Sequence, residues 1–420
     1  MKTNLLAFLL FGIIAGSAIG QTSPTITSWV INTNGATGFN CSGCSPAAYG
    51  TILANVESVY YSSSDAYITT DCVPVYNIGP YAGNAPTEQN KVYKMTLNPA
   101  QNTGTATSTD FGAIGVWSNG VTIYNARDGF YWNNGTSTLD HGSGTWNRNA
   151  YVGEYQTFDG CLGHGDPSGM YHHHVNPVCL YDTSATSQHS PIIGYAFDGY
   201  PIYGAFAYTN TDGSGAIKRM RSSYKLTTAT TRTSGPAMSV YSAGYFIEDY
   251  TYTASYGDLD EHNGRYCITP EYPNGTYAYF VTTDNSGTPE YPYTVGTSYY
   301  GVVATGNTGP SGGAFTVPNT ATQYDPTNNV VQEVKNVNSK ITLYPNPAED
   351  NILQFQITDN TQEMNVKIMD YQGRTLVNRE FAAGSYGSTV KIPAPYLNTG
   401  IYFVLFEING TKEIQKVVFE

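Results

Sequence analysis

The chain has 420 residues, 40% hydrophobic and only 12% charged, with 44 Gly and 37 Tyr. That length accommodates two to three domains at roughly 150 residues each and excludes a mini-protein, while so little charge excludes a Lys/Glu-rich helical protein. Residues 21–334 hold 10 Lys/Arg against 23 Asp/Glu, so this stretch carries the whole net charge of −13. An acidic surface repels phosphate backbones and anionic lipid, so nucleic acid is not an expected partner; a cation, an extracellular polysaccharide or a small-molecule ligand fits better.

In chain order the first element is a targeting segment. Met1 and Lys2 precede an apolar run from Leu5 to Ala15 and then Ala18-Ile19-Gly20 before Gln21. A basic start, a short apolar stretch and small residues at −3 and −1 predict a cleavable secretory signal over residues 1–20. No stretch approaches the roughly 20 apolar residues that a bilayer span needs. The expectation is a product exported through the periplasm and secreted or held at the outer cell surface, with no membrane span.

Six cysteines follow: Cys41, Cys44, Cys72, Cys161, Cys179 and Cys267. An even number in an exported chain predicts disulfides, and a Cys161–Cys179 bridge is the first expectation because it would close a loop around the histidine-rich segment. Cys41-Ser42-Gly43-Cys44 reads as half a zinc knuckle or a redox pair, but with no matching second pair the expectation is a disulfide within or near that loop.

Val56 to Tyr61, Gly115 to Trp117, Val121 to Tyr124 and Tyr277 to Thr282 read as strands bounded by Asn-Gly or Gly-rich turns. Tyr, Thr and other residues that fit a half-buried pleated surface dominate, and long helical periodicity is absent. The prediction is an all-β protein: one large β domain with long loops over 21–303, a linker over 304–339, and a small immunoglobulin-like β-sandwich over 340–420.

Five of the seven histidines fall in 26 positions: His164, His172, His173, His174 and His189. If Tyr171 to Val175 is extended, His172 and His174 share a face with Cβ atoms roughly 6.6 Å apart, and His173 points the other way. Neutral imidazoles so placed suit a transition metal, copper or zinc, with His164 as the natural third ligand once the disulfide draws its loop beside the strand. Asp159 and Asp166 are alternative ligands or acceptors that fix a ring tautomer. His189 and His262 are weaker candidates. Farther on, Ile193, Tyr195 and Phe197 alternate along a strand that ends at Asp198-Gly199, so Asp198 is either a carboxylate ligand or base at a strand end or the acceptor that sets its own turn. Asp258, Asp260 and Glu261 offer hard oxygens suited to calcium, or an acidic turn with Arg265 as counter-charge. Asn210, Asp212 and Ser214 hint at a calcium loop that lacks the ligand at position twelve.

The tail shows strand-like runs at Ile352 to Ile357, Asn365 to Met369, Thr375 to Phe381, Ser388 to Ile392, Ile401 to Phe406 and Glu413 to Phe419. Leu343-Tyr344-Pro345-Asn346-Pro347, Asp370-Tyr371-Gln372-Gly373-Arg374 and Leu397-Asn398-Thr399-Gly400-Ile401-Tyr402 resemble the C-terminal sorting domain of Bacteroidota type IX secretion substrates. The resemblance implies that the tail is an address read by the type IX machinery. Upstream, Phe158 to His164, Tyr171-His172-His173-His174, Gly194 to Gly204 and Leu259 to Phe280 together resemble the YHYH protein family over most of residues 25–303. The family's third motif position is Tyr, and here it is His173. The family name describes a motif and not an activity, so chemistry has to be argued from the site.

Three functions compete at this level. The first is an exported metal-binding protein with His164, His172 and His174 as ligands and Asp198 or a water as the fourth. The second is a metal-dependent hydrolase with Asp198 or Glu261 as base; a Gly-x-Ser-x-Gly nucleophile is absent. The third is a non-enzymatic adhesin or glycan-binding surface protein, suggested by the tyrosines.

Overall fold

Alternating burial is clearest in strands such as Ile352–Ile357, Met364–Met369 and Thr389–Pro393. The computed structural model describes residues 23–38, 51–79, 84–309, 311–326, 341–358, 360–369, 375–394, 397, 400–408 and 411–419. They fall into two units, one ending at Tyr324 and one beginning at Asp325. Among the described residues the α-helices are two four-residue turns, Pro24–Thr27 and Ala150–Gly153, so the all-β expectation holds. The expected signal segment and the Cys41/Cys44 loop lie outside the described residues.

The first unit is centred on an eight-stranded sheet. Its strands in chain order are β1 (Ala113–Trp117), β2 (Thr122–Tyr124), β3 (Gly163–Gly165), β4 (Tyr171–His173), β5 (Ile192–Ala196), β6 (Pro201–Tyr203), β7 (Gly264–Cys267) and β8 (Thr276–Phe280). The spatial order is β7-β8-β6-β5-β1-β2-β4-β3. β1, β5 and β8 are buried along their whole length, which is why they read as apolar and aromatic runs without clean alternation. The pairs β2·β4 and β6·β8 are parallel, and the other neighbours are antiparallel.

Tyrosine fills this core. Tyr171, Tyr195, Tyr203, Tyr277, Tyr279 and Tyr299 are fully buried beside Trp117, Phe197 and Phe280. Each buried ring contributes roughly 1.5–3 kcal/mol, but a hydroxyl left without a partner would cost about 1–3 kcal/mol. The carboxylates meet that need: Tyr171 donates to Asp159 at 2.7 Å, Tyr279 to Asp198 at 2.6 Å and Tyr277 to Asp260 at 2.8 Å. The abundance of tyrosine is therefore in good part a core property.

A second sheet of this unit orders the strands Thr322–Gln323, Val56–Tyr61, Asp65–Thr70 and Lys91–Thr96. It corrects the expected linker. Gly313 accepts from Val92 N at 2.8 Å, Tyr324 N donates to Val59 O at 2.8 Å, and the buried side chain of Asn307 accepts from Lys94 N at 3.0 Å. Residues 304–309 and 311–324 thus fold onto the first unit despite their turn-rich composition. Cysteine usage also departs from expectation: Cys161 and Cys179 are bonded, whereas Cys72 and Cys267 are free thiols buried in packed interior. Burial pushes the Cys72 thiol up to about 12, so it behaves as a small apolar filler.

The second unit is a sandwich of two antiparallel sheets, Ile341–Leu343, Ile352–Ile357 and Thr389–Pro393 in one, Met364–Met369, Thr375–Phe381, Gly400–Ile408 and Thr411–Phe419 in the other. Inward positions Leu353, Phe355, Val366, Ile368, Val404, Phe406 and Val417 share one core, as period-2 alternation predicts.

Candidate metal centre

Strand register brings the histidines together. β3 and β4 pair antiparallel with His172 directly opposite His164, which places both side chains on one face about 4.5–5.5 Å apart at Cβ. β3 is short because it reads Gly163-His164-Gly165. A Cβ at Gly163 would collide with the Tyr171 hydroxyl, and one at Gly165 with the Asn84 carbonyl. Ahead of it Leu162 adopts a left-handed φ of 64°, a conformation held by its N–H bond to Asp159 O at 3.0 Å and by the neighbouring Cys161–Cys179 bridge. His174 lies one residue past β4, yet its ring returns to the same face: Nε2 of His172 and Nε2 of His174 are 3.1 Å apart. Potential ligand atoms of His164, His172 and His174 all lie within 4.8 Å of one another.

The outer nitrogens decide what the inner ones can do. His172 Nδ1 is 3.0 Å from the Met170 carbonyl and His174 Nδ1 is 2.6 Å from the Asn125 carbonyl. A carbonyl only accepts, so both Nδ1 atoms carry the hydrogen. His164 Nδ1 faces the Thr157 hydroxyl at 2.8 Å, and that hydroxyl already donates to Glu154 O at 2.7 Å. Thr157 can then only accept, and His164 also donates from Nδ1. With Nδ1 committed in this way, each ring when neutral keeps its lone pair on Nε2, the tautomer a metal ligand requires.

A fourth donor comes from outside the histidine segment. Glu154, which follows the turn Ala150–Gly153, places Oε2 3.1 Å from His174 Nε2 and 3.5 Å from His164 Nε2. Donors around a tetrahedral zinc sit roughly 3.3 Å apart, so Glu154 stands at coordination spacing from His174 and His164, while the mutually close set among the described residues is the three histidines. Burial, helped by the neighbouring His174 ring, pushes His164 down to about 4, and burial with the nearby His164 and His174 rings holds His172 well below the ordinary imidazole range. Burial also opposes charge on His174, but its contact with Glu154 outweighs that and raises it, while the same contact lowers Glu154 against the pull of its own burial. Without another cation the pair holds a proton between Glu154 and His174. Nothing in Val152-Gly153-Glu154-Tyr155 marks this glutamate in the sequence.

A cavity of about 540 Å³ opens beside the cluster, lined by His164, His172, His174 and Glu154 together with Phe111, Tyr124, Arg127, Phe130, His141 and Arg148. Tyr124 stacks on His172 with centroids 3.9 Å apart and donates its hydroxyl to Asp166 at 2.9 Å.

Residues 92–292, which contain this whole centre, match the family model described as YHYH protein, and residues 342–420 match that of the secretion system C-terminal sorting domain. The chain thus carries a YHYH domain followed by a type IX sorting domain. No curated protein matches it. The sorting domain directs export to the cell surface or into the medium through the type IX machinery, and among the described residues no helix is long and apolar enough to cross a membrane.

Within the YHYH domain the other predicted residues stand apart from the cluster. Asp159 accepts from Cys161 N, Gly163 N, Gly79 N and the Tyr171 hydroxyl, so it anchors the loop and offers no oxygen to the centre. Asp198, fully buried, accepts from Tyr279, Gly301 N and Tyr200 N, the turn-setting role of a strand-end aspartate. His189 packs edge-on to Tyr203 with Nδ1 2.7 Å from Ser190 O, and His262 meets Ser298. The Glu261 carbonyl accepts from Tyr224. Neither Asp198, His189, Glu261 nor His262 lines the cavity. In the acidic stretch Asp258 pairs with Lys218 and Asp260 accepts from Tyr277 and backbone amides, so their oxygens serve protein donors. His173, where the YHYH motif has Tyr, is fully buried on the opposite face beside Trp117 and Tyr171. Among the described residues no second group of ligands gathers around it.

Proposed function

We propose that this exported YHYH domain binds one divalent transition-metal ion, zinc or copper, through Nε2 of His164, His172 and His174, with Glu154 as the fourth donor. The observation that carries the reading is the convergence of three buried histidines, with ligand atoms within 4.8 Å of one another, while each Nδ1 lies against an oxygen and leaves Nε2 for a metal. A metal held there would supply Lewis acidity to whatever enters the cavity. The test is metal analysis of full-length protein purified without a histidine tag, saturated and desalted. The expected result is one equivalent, lost in His172→Ala; substoichiometric metal after saturation would overturn the reading.

Metal-dependent hydrolysis is the second reading, favoured by the cavity. Its base would have to stand on the cavity wall, where Glu154 is found and Asp198 and Glu261 are not. Chelation should then abolish turnover of generic ester or phosphate substrates. The glycan-binding alternative draws on tyrosines of which, among the described residues, twelve are buried; calcium draws on Asp258 and Asp260, whose carboxylates already meet protein donors, and on Glu261.

A further inference from the structure

We propose that the cavity takes a small ligand bearing an oxyanion, carboxylate or phosphate, held between the metal and Arg127; the inference rests on the metal reading above and names its ligand class. Two of the 10 basic residues in 21–334, Arg127 and Arg148, line this cavity beside the carboxylates of Asp128, Glu154 and Asp166. The two arginines are not equivalent. Arg148 is committed to Asp128, whose side chain is wholly buried, and lies over the Phe130 ring. Arg127 pairs with Asp110, whose side chain is 70% exposed, so that ion pair is screened by water and readily exchanged for another acid.

The rest of Arg127 is prepared for an anion. Its guanidinium lies over the Phe111 ring, 4.2 Å from the centroid, which fixes the plane of the fork. Its Nε is buried and meets no hydrogen-bond acceptor, and among the described residues Asp110 is the only acceptor its guanidinium meets. A planar fork with unused donors is the geometry that recognises carboxylate and phosphate oxygens. The arginine is also indexed to the centre: Asn125 Oδ1 accepts from Arg127 N at 3.2 Å, while the Asn125 carbonyl takes the His174 Nδ1 hydrogen. Asn125 and Arg127 line a second cavity of about 340 Å³ as well, which gives the remainder of a ligand room beyond the fork. Phe111, Phe130 and Tyr124 on the first cavity's wall suit an apolar or aromatic body.

The test uses full-length protein loaded with cobalt(II), whose visible bands report on the ligand at the metal, titrated with benzoate, phenyl phosphate and inorganic phosphate. Metal analysis comes first and judges the metal reading by itself: a chain that takes up no cobalt sinks both ideas, whereas a loaded chain whose bands no anion moves sinks only this one. Saturable band shifts are expected with at least one anion. Arg127→Met should weaken that binding at least tenfold at unchanged cobalt content, with Arg127→Lys between the two. Asp110→Asn, an exposed change, should tighten it several-fold. Equal affinity in wild type, Arg127→Met and Asp110→Asn would overturn the proposal. Preference for benzoate over both phosphates, or the reverse, identifies the anion.

Discussion

His164 and His172 face each other across one antiparallel strand pair, ring centroids 4.4 Å apart, so the candidate centre is built on backbone register and not on loop adjustment. A one-residue slip of β3 against β4 would send His164 to the opposite face.

Substitution separates the two faces of the Tyr171-His172-His173-His174 strand. His164→Ala, His172→Ala and His174→Ala should each lower metal affinity at least a hundredfold. His173→Tyr, which restores the motif residue, should keep full metal content and lose about 1–3 kcal/mol from crowding against Gly163 and Trp117. Metal analysis with denaturant melts checks both; loss of metal in His173→Tyr would contradict the assignment.

The Thr157 hydroxyl meets His164 Nδ1 on one side and donates to the Glu154 carbonyl on the other. Thr157→Val keeps the shape but removes the oxygen that fixes the tautomer, and metal affinity should fall about 10–100-fold with little change in stability. Unchanged affinity, read by competition with a chelator, would show that the tautomer is not held by this contact.

Metal and proton compete for the Glu154–His174 pair. Because contact with Glu154 raises His174, metal uptake should release a proton in near-neutral, weakly buffered solution, and affinity should fall as pH drops through the imidazole range. Glu154→Gln removes that contact, so proton release should diminish and the fall in affinity should move to lower pH. A pH profile identical to wild type would rule out Glu154 as the source.

His189 provides a pH test remote from the centre. Burial pushes it down to about 4 from the ordinary 6.5. The unfolded chain therefore binds a proton first as pH falls, so stability contributed by neutral His189 is present above 6.5 and is lost progressively toward 4, by on the order of 3 kcal/mol. Urea melts of His189→Gln should show a flatter rise in stability over that window than wild type; equal slopes would argue against burial as the cause.

Much of the fold was legible because alternation is a strong local pattern. Val56–Tyr61, Ile352–Ile357 and Thr375–Phe381 were predicted at their observed limits, and β4, β5 and β8 within a residue or two. Strand Gly163–Gly165 was not, since two glycines carry no propensity and only tertiary contact explains them. Residues 304–309 and 311–324 looked like a linker because the buried Asn307 amide and backbone pairing with Val92 and Val59, not a periodic apolar pattern, hold them. The three histidines were legible from period-2 spacing plus the disulfide. Glu154 was not, because it reaches the rings from a separate helical turn, and Arg127 stood out only once the cavity was seen. Asp198 illustrates the converse: its sequence context allowed a ligand or a turn, and burial beside Tyr279 determined which.

The Cys161–Cys179 bridge spans 18 positions and encloses all three ligand candidates. Such a bond closes only in an oxidising compartment. A reducing cytoplasm disfavours that closure, so locking of the histidine ledge belongs with the export route that the sorting domain dictates.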